Sequence, residues 1–405
     1  MGETAMSLTP NAQEQARGST AKSHGGGDQP PAYDVAQTYQ WNYDHGPRIA
    51  EALLSQTPAH LPGTFELAGM RLNSPLGVAA GPLLNARWIE AYARLGFDFL
   101  TYKTVRTRAR PCYALPNWVF VETRELTERD TREGRVREVT AAEALARGSD
   151  LSSAVSFGMP SQAPECWRAD VRTARAALRE GQALVVSVVG SPEDGWGPGE
   201  VAADFALAAR WAAEAGAHAV EANLSCPNVA SAEGSIFADP ELATRITRAC
   251  AEAIGDVPLL LKVGHLPDDA NLAALLRAVN GLAAGIVTLN TVATRIERGD
   301  GAPAFGEASR RRSGVTGRAI FPAALDQVRR TVRIVARDRL SLSVIAVGGA
   351  SPPDDVTAFL DAGASLVEMA TAPVFWPDVA FRTRQVLADA RRTPGPAHRQ
   401  DRQGN

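Results

Sequence analysis

Eight short apolar runs of strand length are spread through the chain, each followed by a longer amphipathic stretch of helical length. The runs cover 76–80, 97–102, 183–189, 219–223, 259–263, 285–289, 343–347 and 366–369. The helical patterns cover 86–95, 168–179, 201–215, 240–253, 271–282, 322–335, 354–360 and 379–391. Strand and helix in alternation is the pattern of a parallel sheet built from βα units. Eight such units over roughly 320 residues fit an α/β fold of the (β/α)8 TIM-barrel type with insertions. A doubly wound sheet is the alternative, because periodicity alone does not close a barrel.

Two stretches exceed the simple repeat, 104–160 after the second strand and 291–317 after the sixth. Both follow strand carboxyl ends, where barrel active sites lie, and both are expected to sit over the barrel. The charged run 122–147 reads as a solvated insertion. Residues 32–64, with Tyr39, Trp41 and Tyr43, form an N-terminal extension that caps or packs against a barrel domain spanning 65–391. Residues 1–31 and 392–405 are rich in Gly, Ser, Gln, Pro and Arg without a hydrophobic period, and read as disordered tails.

Composition narrows the function classes. Lys and Arg number 42 against 45 Asp and Glu, so the formal charge of −3 gives no footprint for nucleic acid or an anionic membrane. No uninterrupted apolar run approaches ~18 residues and no signal-peptide pattern opens the chain, so a cytoplasmic, reduced setting is expected. Cys112, Cys166, Cys226 and Cys250 form no C-x-x-C pair, and no metal is implied.

The polar residues and glycines that end the strands share one rim: Gly81, Lys103, Thr104, Gly190, Asn223, Lys262, Gly264, Asn290, Thr291, Gly348, Gly349 and Thr371. Lysines and asparagines ending buried strands need partners, and the set points to a polar ligand. Cys226 lies in Asn223-Leu224-Ser225-Cys226-Pro227-Asn228, just past a strand end and stiffened by a proline. Cys112, Cys166 and Cys250 read instead as inert small hydrophobes. Asn223, Asn228 and Asn290 each carry a donor and an acceptor on one planar head, so together they suit both edges of a cyclic amide such as a pyrimidine.

From Phe65 to Leu387 the chain resembles the dihydroorotate dehydrogenase family, which includes the pyrimidine-reducing domain of dihydropyrimidine dehydrogenase. The matching motifs run in order: Asn73-Ser74-Pro75-Leu76-Gly77-Val78-Ala79-Ala80-Gly81, Tyr102-Lys103-Thr104, the Asn223 to Asn228 loop, Leu261-Lys262-Val263, Leu289-Asn290-Thr291, Ser313-Gly314, Val347-Gly348-Gly349 and Ala362-Gly363-Ala364-Ser365. The resemblance implies an FMN-dependent oxidoreductase that acts on a CH–CH bond and oxidises dihydroorotate to orotate. It implies that Ala79, Ala80 and Gly81 let the flavin ring lie against backbone, and that Lys262 faces the flavin N1/O2 edge. Lys103 and Thr104 would lie near flavin and substrate, and Lys103, Asn223, Asn228, Asn290 and Thr291 would bind the substrate. Ser313-Gly314, Gly348-Gly349 and Thr371-Ala372 would hold the FMN phosphate, in keeping with the phosphate site that follows barrel strands seven and eight. Cys226 would be the base, as in the soluble branch.

The soluble members of that family carry an asparagine in a motif of the form N-S-M-G-L-P-N where this chain reads Val155-Ser156-Phe157-Gly158-Met159-Pro160-Ser161. A related reductase or desaturase acting on another cyclic amide, and a non-catalytic FMN-binding partner subunit, stand as alternatives. The membrane-bound branch has an amphipathic N-terminal helix pair, a pattern that 33–62 lacks, so a soluble electron acceptor is expected. Barrels of this type often form homodimers.

Overall fold

The computed structural model describes residues 30–126, 130, 133–225 and 236–392. Strand β1 (Phe65–Leu67) pairs antiparallel with β2 (Met70–Leu72) through a turn in which Ala68 and Gly69 take φ of 49° and 80°. Two left-handed residues are what a tight hairpin turn requires. Leu67 and Leu72 join the buried cluster that fills the barrel, so this hairpin plugs its amino end.

The eight apolar runs become β3 (Leu76–Val78), β4 (Phe99–Val105), β8 (Ala183–Val188), β9 (Ala219–Asn223), β10 (Leu259–Lys262), β11 (Gly285–Thr288), β14 (Ser343–Val347) and β15 (Leu366–Met369). They pair in parallel in sequence order, and β15 returns to β3 through Val367↔Leu76 and Met369↔Val78. The sheet is therefore a closed barrel and the doubly wound alternative falls away. Helices cover the outside. Pro240–Ile254, for instance, starts with Asp239 accepting from the backbone N–H groups of Glu241 and Leu242, and turns Ala243, Ile246, Cys250 and Ile254 inward at helical spacing.

The two insertions make one unit. β5 (Trp118–Val121), β6 (Arg135–Val139) and β7 (Ser152–Val155) from the first combine with β12 (Val292–Glu297) and β13 (Arg312–Gly317) from the second into a small five-stranded closed barrel. Its core is Val119, Val121, Val136, Ala154, Val292, Ile296 and Val315. Arg310 locks it to the adjoining loops: its guanidinium, 5% exposed, donates to the carbonyls of Ala114, Pro116 and Ser156 at 3.1, 2.7 and 3.2 Å.

The N-terminal extension packs onto the same end of the molecule. Tyr33 sits with its ring 5.2 Å from Trp118 and 5.9 Å from Phe157, and Ala32 N–H donates to Val374 O at 2.8 Å. Asn85 caps helix Ala86–Arg94 and donates to Tyr43 O at 2.7 Å, tying the extension to the first βα unit. At the opposite end the buried pair Arg384–Asp98, 2.7 Å apart, joins the last helix, Val379–Arg392, to the approach to β4.

Candidate active site

Successive residues of a strand face opposite sides of the sheet. The inward residues at the carboxyl ends of the barrel strands line a cavity that encloses about 1010 Å³ of empty space, its open mouth included. Three groups of residues build it. Ala79, Ala80 and Gly81 leave β3 with small side chains, and a Cβ placed on Gly81 would meet nothing within 4 Å. Lys103, Thr104, Asn223, Lys262, Asn290 and Thr291 form a polar floor, with Lys103 and Lys262 only 5% and 3% exposed. Gly348 and Gly349 end β14, and Gly317 ends β13. A Cβ on Gly349 would lie 2.6 Å from Gly317 O, so these two backbones meet at a distance only glycine permits, and Gly349 has φ of +78°.

The two described asparagines stiffen the floor. Asn290 Nδ2 donates to Ser225 Oγ at 3.1 Å and its Oδ1 accepts from Thr291 N–H at 2.9 Å. Asn223 Oδ1 accepts from Ser225 N–H at 3.2 Å while its Nδ2 donates to Thr104 Oγ1 at 3.4 Å. The start of the loop after β9 is thereby pinned to the end of β11. Thr291 Oγ1 is buried and has no partner among the described residues, a group that a ligand polar atom would satisfy.

Of the residues singled out from sequence, Ala79, Ala80, Gly81, Lys103, Thr104, Asn223, Lys262, Asn290, Thr291, Gly348, Gly349 and Thr371 come together here. Cys226 and Asn228 lie outside the described residues. Ser313 and Gly314 are not part of the lining. Ser313 is buried with its Oγ donating to Arg310 O at 3.2 Å, and Gly314 pairs with Ala293 and Val155 inside the small barrel. Thr316 and Gly317, farther along β13, face the cavity in their place, and Thr371 Oγ1 donates to Thr316 Oγ1 at 3.0 Å. Ala372 is buried behind the wall.

The remaining cysteines are not at the floor. Burial pushes the Cys112 thiol up to about 11 against the pull of Lys103, and that of Cys250 to about 12. Cys166, read from sequence as an inert small hydrophobe, is exposed.

Sequence reasoning marked Val155 through the family motif but did not foresee the apolar wall to which it belongs. Trp118, Val155, Phe157 and Met159 come from the small barrel and the loop after it, and Leu289, Ile320 and Val347 add to the apolar lining. Met159 takes φ of +51°, a conformation that costs a residue with a Cβ ~1–2 kcal/mol. Its carbonyl accepts from Arg106 Nε at 3.1 Å, one of the contacts that hold it there. Two glutamates inside the barrel, Glu221 and Glu368, were also passed over, although an acid within an apolar strand run is a visible signal.

The architecture is that of a (β/α)8 barrel with a lysine-and-amide cavity at the carboxyl ends of its strands. A family model described as dihydroorotate dehydrogenase matches residues 156–386. The dihydroorotate dehydrogenase of Dictyostelium discoideum is 31% identical over 359 residues, 87% of this chain and 96% of that protein. The catalytic subunit of the NAD(+) type dihydroorotate dehydrogenase B from Bacillus pumilus is 32% identical over 177 residues, 42% of this chain and 54% of that protein. Among solved structures, dihydroorotate dehydrogenase from Eimeria tenella in complex with ferulenol shares the fold, with a TM-score of 0.65 at 17% identity over 82% of this chain and 85% of that one. The chain belongs to the dihydroorotate dehydrogenase family, whose members are oxidoreductases acting on CH–CH bonds. Among the described residues no helix is long and apolar enough to cross a membrane.

Proposed function

We propose that the chain binds FMN in this cavity and oxidises dihydroorotate to orotate. The observation that carries the reading is the convergence of Lys103, Lys262 and the Asn223–Ser225–Asn290 linkage beside the open, small-residue face of Ala79 to Gly81. That face has the room a flat ring requires, and the partnerless Thr291 Oγ1 calls for a ligand atom. FMN, when bound, supplies the acceptor for the hydride that leaves one ring carbon of the substrate.

The chain's own residues supply the rest. Lys262 places a fixed positive charge at the cavity floor, where negative charge accumulates as electrons arrive. Gly317, Gly348 and Gly349, with Thr316 and Thr371, offer close backbone approach and hydroxyls to a phosphate, taking the role that sequence assigned partly to Ser313 and Gly314. Asn223 and Asn290 orient the ring, with Asn228 completing the set by sequence order. Cys226 accepts the proton from the carbon adjacent to the one losing hydride. The thiolate is the form that accepts a proton, so this step is expected to run faster as pH rises. The electron acceptor in this reading is soluble.

The half-buried Val155 at the wall favours a second reading, in which the substrate is a different cyclic amide. Anaerobic absorbance of the purified protein before and after L-dihydroorotate separates the two. Bleaching of the flavin band supports dihydroorotate oxidation. A yellow protein that stays yellow supports the second reading or a non-catalytic flavin-binding subunit, and a colourless protein that added FMN does not restore refutes the flavoenzyme assignment.

A further inference from the structure

Lys103, Asn223 and Ala370 line the mouth of the barrel. The residues two places earlier on the same strands, Thr101, Glu221 and Glu368, face the same way one layer deeper. β9 and β15 stand on opposite sides of the eight-strand ring, so the two glutamates reach the interior from facing walls. Both are buried, at 1% and 0% exposure. Thr101 Oγ1 donates to Glu368 Oε1 at 2.6 Å, whereas Glu368 Oε2 and both carboxyl oxygens of Glu221 have no hydrogen-bond partner among the described residues. Lys262, in register with Asn223, stands one layer above Glu221.

The neighbours leave little choice about charge. Ala79 just past β3, Val185 of β8, Val287 of β11 and Ile345 of β14 are apolar inward residues around this layer, Phe99, Leu260 and Leu366 close it from below, and the one hydroxyl in register with Glu221, that of Ser187, is hydrogen-bonded to Thr104 Oγ1 at 3.0 Å. The groups that act on Glu368 are Glu221, Lys262 and Thr101, and the next cation on β4, Lys103, belongs to the mouth. An ionised carboxylate in such surroundings needs a paired charge or donors, and one ammonium balances only one of two acids. Protonating one of the two carboxyls leaves a single negative charge for the ammonium to balance. Burial first, then the charge of Glu221, raises Glu368, with Lys262 pulling the other way.

We propose that Glu221 and Glu368 hold one proton between them beneath Lys262, and that this pair, as positioning residues, sets the charge against which the lysine ammonium rests at the cavity floor. The effect on Lys262 rests on the proposed flavin reading; the shared proton does not.

Infrared spectroscopy of the purified protein at about pH 6, above the ordinary glutamate value of 4.5, tests the proton directly. With glutamate labelled by 13C at its side-chain carboxyl, the protonated-carboxyl C=O stretch is expected to appear and to shift with the label. It is lost in both Glu221→Gln and Glu368→Gln, because the acid left in either variant pairs with Lys262 as an anion. Absence of a label-sensitive band in the wild type, a measurement that requires no variant to fold, overturns the proposal, as does a band that survives either substitution. The midpoint potential of the bound flavin against pH reads the second part. The wild type is expected to show a break where the pair titrates, and the two variants to lose it; identical profiles overturn the tuning of Lys262. A protein that binds no flavin defeats the functional reading, while the infrared band still decides the shared proton.

Discussion

Val155 ends β7, where it pairs with Trp118 on one side and Gly314 on the other, and its half-buried side chain lines the cavity. Replacing it with asparagine, the residue that the family pattern carries there, puts two donors and one acceptor on the wall. Two new hydrogen bonds to the edge of a cyclic amide, at a net ~0.5–1.5 kcal/mol each, amount to about 1–3 kcal/mol, or roughly fivefold to 150-fold in affinity. Losing the apolar contacts of a half-buried valine costs about 1 kcal/mol, and that loss falls on folding, since the backbone ladder of β7 is untouched. Val155→Asn is therefore expected to bind orotate more tightly while unfolding at slightly lower temperature. Titration of orotate into the oxidised protein, followed through the flavin spectrum, gives the affinity, and thermal unfolding gives the stability. A folded variant whose orotate affinity is unchanged or weaker refutes the idea that this wall faces the polar edge of the substrate.

Three further perturbations follow from the packing. Arg384→Met leaves the Asp98 carboxyl buried with only Ser74 and Gln182 as partners, and should cost on the order of 3–5 kcal/mol in denaturant unfolding; a loss below about 1 kcal/mol would show the pair to be unimportant. Burial and the charge of Glu221 raise Glu368 to about 7, so between its ordinary value of 4.5 and 7 the folded state holds a proton that the unfolded chain has released. Stability should therefore fall as pH rises through that window, by an amount on the order of 3 kcal/mol, and Glu368→Gln should flatten the profile of unfolding free energy against pH. Gly314→Ala drives a methyl into Thr291, whose Cβ would be 2.6 Å away, and should lower stability by about 1–3 kcal/mol. The same variant should weaken ligand binding in a calorimetric titration, because Thr291 belongs to the cavity lining.

The sequence by itself determined the barrel strands and the helices between them, because each is a local matter of apolar runs and helical spacing. β9, β14 and β15 occupy the ranges that their apolar runs mark, and the other five differ from theirs by one to three residues at an end. It also determined the residues of the floor, since a lysine or asparagine closing a buried strand is conspicuous without its neighbours. Closure of the sheet was a different matter: it is a pairing between β15 and β3, whose residues lie nearly three hundred positions apart in the chain. The small barrel has the same origin, for β12 and β13 complete β5, β6 and β7 across a long stretch of intervening chain and only together bury a core. Register within that barrel decided that Thr316 and Gly317 face the cavity while Ser313 and Gly314 do not, and strand pairing leaves no mark on a single segment of sequence. Glu221 and Glu368 likewise read as stray acids in two unrelated strands, and only the curvature of the sheet makes them face one another across its centre, where burial gives their charge its consequence.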